Sequence, residues 1–240
     1  MEPAWTPYCG AGPSPAEAWG RWNLDPLLLG ALAIAAGLLL VAAPNRRGLV
    51  MAALAVLALS FVSPLCALSS ALFCARTLHH VLLTSLAAPV LAWALPRAEA
   101  AKGLGATTLA FAAVFWIWHA PAAYGAALSS DGVYWLMQAS LLSSATLFWR
   151  AVRSAPAPAG VAALLATTVQ MGLLGALLTF MPRALYAPHA LTTIPWGLSP
   201  LEDQQLAGLL MWIPAAGAYL AAALVLLGRQ LRGMAAVAAR

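Results

Sequence analysis

Long apolar stretches, separated by short polar or proline-rich segments, dominate the pattern along the chain. Each stretch holds about 20 residues, the length of an α-helix that crosses a bilayer. The stretches are continuous rather than alternating, which favours helices over the strands of a membrane β-barrel. The pattern predicts seven membrane-spanning helices, at residues 26–43, 49–68, 72–95, 105–128, 132–152, 160–180 and 203–227.

Two longer segments lie outside these predicted spans. Residues 1–25 form an N-terminal arm, and residues 181–202 form a loop rich in proline and aromatic residues. Residues 26–240 are then one transmembrane domain. The predicted fold class is an all-α polytopic transmembrane helical bundle.

Composition agrees with a lipid environment. Hydrophobic residues make up 63% of the chain and charged residues 8%, with a mean hydropathy of +0.85. Soluble domains carry about 25% charged residues, so a water-facing surface cannot be built from this composition. The net charge of +5 is explained by membrane orientation, so no nucleic-acid partner is expected.

Basic residues are distributed unequally between the two sides of the predicted bundle. If all seven segments cross, nine basic residues fall on one side of the membrane, and only Arg21 and Arg183 lie in the loops of the other side. By the positive-inside rule, the N-terminus is expected outside and the C-terminus in the cytoplasm. The nine basic residues on the cytoplasmic side are Arg46, Arg47, Arg97, Lys102, Arg150, Arg153, Arg229, Arg232 and Arg240.

Candidate chemistry gathers in the outer half of the predicted bundle. His79 and His80 lie in the third span, His119 in the fourth, and Asp203 and Met211 in the seventh. Ionisable groups are costly inside a membrane, so they indicate a functional site facing the bundle interior. Adjacent histidines point about 100° apart on a helix, so only one of the pair is expected to be central. Imidazole, thioether and carboxylate together predict a transition-metal site, and the thioether favours copper over zinc.

Each candidate also has a purely structural explanation. Methionine is a common apolar filler, and a histidine in a loop, such as His189, is expected at the surface. Asp203 can favour the start of its own helix by capping free N–H groups. Arg76 can pair with Asp203 or Asp131.

The three cysteines fall on the predicted outer side. In an oxidising compartment, two of Cys9, Cys66 and Cys74 can form a disulfide and leave one free thiol. The spacing leaves open which two pair. No sequence motif nominates a catalytic nucleophile.

Several short stretches along the chain together form a recognisable pattern. They are YCG at 8–10, WNLDP at 22–26, LFCARTLHHVLL at 72–83, WHAPAAY at 118–124, LLTF at 177–180, WGLSPLEDQQ at 196–205 and MWIP at 211–214. Together they resemble the CtaG family of bacterial cytochrome c oxidase assembly proteins. The resemblance implies about seven spans in a bacterial plasma membrane and a role in maturing haem-copper oxidases, with copper binding or delivery at the outer face. It also implies oxidase subunits as partners, and His80, His119, Asp203 and Met211 as the matched ligand-type positions.

The chain departs from the family pattern at two places. Arg76-Thr77 stands where the family shows His-Met, and Met137-Gln138 stands where it shows Glu-His. Two alternatives to a copper-handling assembly factor therefore stay open. One is a seven-helix zinc-dependent membrane hydrolase using His80, His119, His189 and Asp203. The other is a metal-free scaffold for a respiratory complex, and a homo-oligomer is compatible with each.

Overall fold

The computed structural model describes residues 5–96 and 103–238, and all regular elements within these ranges are helical. The prediction of an all-α fold is therefore confirmed. The α-helices are α1 (Pro26–Ala42), α2 (Arg47–Phe61), α3 (Leu65–Ala71), α4 (Phe73–Val81), α5 (Ala88–Ala94), α6 (Leu104–His119), α7 (Pro121–Ala127), α8 (Asp131–Ser154), α9 (Ala157–Phe180), α10 (Pro200–Leu210) and α11 (Ala216–Ala238). Two π-helical turns, Leu82–Ala87 and Met211–Ala215, join α4 to α5 and α10 to α11.

Three continuous segments of the described chain are long and apolar enough to cross a membrane: α4 with α5, α9, and α10 with α11. The pairs α1–α2 and α6–α7 qualify as well if each forms one broken span, with bends of 108° and 77°. By length and composition the described residues therefore hold three candidate spans, or up to five. The predicted count of seven is not confirmed.

Prolines and polar side chains account for the difference. The predicted span 49–68 is interrupted after α2 because Pro64 begins the separate helix α3. The span 105–128 breaks at Ala120, which is extended because Pro121 follows it. Helix α8 has 24 residues, but Gln138 and Arg150 reduce its apolar character, and it is not among the qualifying helices.

The two π-helical turns also reflect prolines. Pro214 lies inside the second turn, and Pro89 follows the first by two residues. A proline ring cannot donate a backbone hydrogen bond and crowds the preceding turn, and a widened turn relieves this conflict. The carbonyl of Thr84 accepts hydrogen bonds from Trp149 Nε1 at 3.0 Å and the Tyr219 hydroxyl at 3.1 Å.

Helices α9 and α10 cross in close contact because each has a glycine there. A Cβ atom on Gly208 would lie 2.3 Å from Thr179 Oγ1 and 2.6 Å from the Gly175 carbonyl oxygen. A larger residue at this crossing would force the two backbones apart. The crossing fixes α10, which carries Asp203, against the rest of the bundle.

The bundle has two chemically different ends. At the end of α5, which we call the arginine end, Arg46 donates to the carbonyl of Trp93, Arg153 donates to Ala92 at 2.6 Å, and Arg150 donates to Pro96 at 3.3 Å. The predicted basic residues Arg97, Lys102 and Arg240 lie outside the described residues.

The N-terminal arm and the segment 181–199 meet at the opposite end, which we call the loop end. There, Trp196 Nε1 donates to the Pro13 carbonyl at 3.0 Å. Thr192 donates to the Ala71 carbonyl at 2.7 Å, just before α4 begins. The two predicted extramembrane segments therefore share one end of the bundle.

Candidate functional site

The N-terminal arm is fastened to the bundle at the loop end. Cys9 and Cys66 form a disulfide with their Cα atoms 5.4 Å apart, and Cys74 remains a buried free thiol. The structure thus resolves the pairing that the sequence left open. Tyr8 donates its hydroxyl proton to Asp25 at 2.5 Å, which lowers the pKa of that carboxyl group. Asp25 also caps α1, because its side chain accepts from the Leu27 N–H.

Helix α4 carries four buried polar side chains below this arm: Arg76, Thr77, His79 and His80. Among the described residues, no hydrogen-bond partner reaches the ring nitrogens of either histidine. A buried polar atom without a partner costs free energy, so native folds keep few of them. The two adjacent imidazoles are therefore the candidate site residues of this helix.

His80 is the central member of the adjacent pair. Its ring centroid lies 5.7 Å from that of His119 on α6, with the ring planes nearly perpendicular at 84°. His119 Nδ1 donates to the Phe115 carbonyl at 2.7 Å, because a carbonyl only accepts, and Nε2 is left for another partner. His79 points instead to Phe61, with ring centroids 4.9 Å apart. The expectation that one of the two histidines is central agrees with this arrangement.

Asp203 joins α10 to the first turn of α4. Its carboxylate oxygens accept from the backbone N–H groups of Phe73 at 2.6 Å and Cys74 at 3.0 Å. Helix α10 has its own cap, in which Ser199 and Glu202 satisfy each other's backbone N–H groups. Asp203 therefore caps a neighbouring helix rather than its own, and it holds the histidine-bearing helix in place.

The expectation that His189 is exposed is wrong, because it is only 1% exposed. The helical turn Ala187–His189 folds the loop back onto the bundle. His189 Nδ1 donates to the Ala71 carbonyl at 3.2 Å, so Nε2 accepts from the Tyr124 hydroxyl at 2.6 Å. Burial lowers the pKa of His189 to about 4.

The predicted ligand set is brought together only in part. His79, His80 and His119 lie next to one another, whereas both oxygens of Asp203 already accept backbone hydrogen bonds. Met211 is buried in the π-helical turn after α10. Within the two described ranges, no group of three or more His, Cys, Asp or Glu side chains is placed to hold a metal. The zinc-hydrolase alternative, which needs such a group, therefore receives no support from these residues.

Sequence reasoning missed the polar partners of α4 on α8. Tyr134 and Gln138 are both buried, and the Arg76 guanidinium lies over the Tyr134 ring at 5.2 Å. Two polar side chains one helical turn apart are rare in an apolar span, and this spacing of Tyr134 and Gln138 could have indicated a buried polar face on α8. Their closeness to Arg76 depends on helix packing, which one sequence does not reveal.

These features define an all-helical protein of membrane-spanning character with a buried polar centre near its loop end. In comparisons with protein families, residues 104–233 match the cytochrome c oxidase caa3 assembly factor family, Caa3_CtaG. The match covers more than half of the chain, and the chain belongs to this family. The resemblance seen in the sequence is thereby confirmed.

Membership makes the chain a cytochrome c oxidase assembly factor. The matched range includes His119, Asp203 and Met211, whereas α4 with His79 and His80 precedes it. No curated protein matches the chain, and no solved structure does.

Proposed function

We propose that this assembly factor is a multi-pass protein of the bacterial plasma membrane that binds copper and passes it to cytochrome c oxidase. The observation that carries the proposal is the pairing of His80 and His119, whose rings approach to 5.7 Å from different helices. Family membership supplies the oxidase as the partner. The protein acts here as a carrier rather than as an enzyme.

The spacing of the two rings fits a shared metal ion. Imidazole nitrogens bind such ions at about 2 Å, so two rings on one ion hold their centroids roughly 5 to 6 Å apart. The unpartnered ring nitrogens of His80 are available for this bond. Arg76, whose positive charge acts on His80, favours singly charged Cu(I) over a divalent ion.

The proposed third ligand is Met211. Its thioether prefers Cu(I), and it lies in the π-helical turn that packs against α4. Asp203 serves in this proposal as a positioning residue, because it fixes the start of α4. Bound copper would supply the ion that the oxidase incorporates.

The proposed orientation places the loop end outside the cell. A disulfide such as Cys9–Cys66 forms in an oxidising compartment. Arg46, Arg150 and Arg153 gather at the other end, as the positive-inside rule expects for the cytoplasm. In this orientation, seven crossings put the N-terminus outside and the C-terminus inside. The histidine pair then lies near the outer face.

Copper binding by purified protein tests the proposal. The full chain, purified without a histidine tag, is titrated anaerobically with Cu(I) against a chromogenic Cu(I) chelator. We expect one Cu(I) per chain, and affinity at least tenfold weaker in His80→Ala and in His119→Ala, since each loses one ligand. His189→Asn is the matched control, because His189 is a buried histidine that already has two partners. Equal and negligible binding in the wild type and His80→Ala would contradict the proposal.

A further inference from the structure

Arg76 is a buried charge that is not a ligand in the copper proposal. Its side chain is 0% exposed, in the second turn of α4. A guanidinium stays protonated in proteins, so burial cannot neutralise it. All three of its nitrogens lack a hydrogen-bond partner within the part of the chain that the structure describes. An isolated buried charge is among the most costly features a fold can retain.

The acidic residues of the described chain are committed elsewhere. The sequence expectation paired Arg76 with Asp203 or Asp131, but Asp203 accepts from two backbone N–H groups, and Asp131 is exposed at the start of α8. Of the others, Asp25 binds Tyr8, Glu17 binds Ser14 and Glu202 binds Ser199. Arg76 thus forms no ion pair with a described carboxylate.

The neighbours of Arg76 are neutral polar groups. The guanidinium lies over the Tyr134 ring and close to the Tyr124 hydroxyl, whose own proton is donated to His189. The Gln138 side chain lies beside the Tyr134 hydroxyl, and its amide nitrogen and oxygen both lack partners in the described structure. Thr77, next to Arg76 in sequence, has a buried hydroxyl that also lacks a hydrogen-bond partner in the described structure.

A buried permanent cation without a hydrogen-bond partner, close to an unpartnered amide, has the chemistry of an anion site. We propose that Arg76, with Tyr134 and Gln138, binds a small monovalent anion, either a halide or a carboxylate group, inside the bundle. One guanidinium matches one negative charge and can donate two parallel hydrogen bonds to it. Because Arg76, Tyr134 and Gln138 are all buried in a packed interior, only a small ion fits beside them.

The N-terminal arm covers this site. Cys9 Sγ lies 3.6 Å from the Tyr134 hydroxyl oxygen, so the Cys9–Cys66 disulfide lies directly against the side chain that contacts Arg76. An ion bound at Arg76 is therefore shielded by the arm at the loop end.

Anion-dependent stabilisation of the purified full chain tests the site. The protein is kept metal-free with a chelator, and its thermal unfolding is followed at constant ionic strength while gluconate, which is too large, is replaced by chloride, bromide, formate or acetate. We expect a saturable rise in Tm, because an ion that binds only the folded state stabilises it. Halides and carboxylates are separate arms, and the arm that responds identifies the ion.

Variants connect the response to Arg76. We expect Arg76→Gln to abolish the saturable response and Gln138→Leu to weaken the apparent Kd at least threefold. Arg183→Gln, at an exposed arginine, is the matched control and should respond like the wild type. Equilibrium binding of radioactive chloride to the wild type, with competition by formate, gives a readout even if Arg76→Gln does not fold.

Copper ligation is separated from anion binding by the His80→Ala/His119→Ala variant, which we expect to retain the anion response. A wild-type protein with no saturable response to any of the four ions and no chloride binding would overturn the proposal. The same response in Arg76→Gln as in the wild type would also overturn it.

Discussion

Arginines at the two ends of the bundle have opposite environments. At the arginine end, Arg46 and Arg153 donate to the terminal carbonyls of α5, which a helix leaves without partners. Toward the loop end, Arg76 and its neighbours His79 and His80 are buried without hydrogen-bond partners among the described residues. The first arrangement stabilises the fold, whereas the second costs stability. The two proposed binding sites both lie among the groups that cost stability.

The largest effect on stability is expected at Asp203, which holds the start of the histidine-bearing helix α4. Asp203→Ala removes two hydrogen bonds to a buried carboxylate and leaves the N–H groups of Phe73 and Cys74 unpaired. We expect a loss of about 3 kcal/mol in the free energy of unfolding, measured by chemical denaturation in detergent. At the arginine end, Arg46→Gln removes a hydrogen bond from an exposed side chain and should cost less than about 1 kcal/mol. Equal losses in the two variants would remove the energetic distinction between the ends.

A smaller effect is expected from acidification, through His189. Its pKa is about 4 in the folded protein, below the ordinary value of 6.5. The unfolded chain therefore binds a proton at a pH where the folded chain does not, and stability falls as the pH drops below about 6.5. Between pH 7.5 and 5, we expect this residue to contribute a loss of about 2 kcal/mol.

The comparison that isolates His189 is the wild type against His189→Asn. Thermal unfolding is followed across the same pH range, and the pH dependence of the variant should be flatter by that amount. Parallel pH profiles in the two proteins would show that His189 is not the titrating group.

The sequence predicts the helices well because apolar stretches of bilayer length leave few other structures. It does not predict where those helices break, because a proline such as Pro121 can either bend a span or end it. Asp203 was a candidate metal ligand, with capping of its own helix as the alternative, whereas its carboxylate oxygens accept from N–H groups of α4. His189 was expected at the surface, yet the loop folds over it. The Asp203 and His189 contacts both join distant parts of the chain, and such contacts leave no local pattern.

The residues of the candidate site were also predicted only in part, because their contacts join different helices. His80 and His119 were both selected as scarce imidazoles at similar depth, and they lie side by side. Arg76, in contrast, was expected to have an acidic partner, since a buried cation normally has one. Only the packing of α4 against α8 shows that Tyr134 is its neighbour.

The claim that His80 and His119 form the working centre is tested most directly by the oxidase itself. In cells whose only copy of this protein carries His80→Ala/His119→Ala, the copper-to-haem ratio of cytochrome c oxidase purified from membranes is measured. Copper handling by this pair predicts an oxidase that is depleted of copper, with His189→Asn giving the wild-type ratio. Normal oxidase assembly and a normal copper-to-haem ratio in the double variant, at wild-type protein levels, would contradict it and favour a metal-free scaffold.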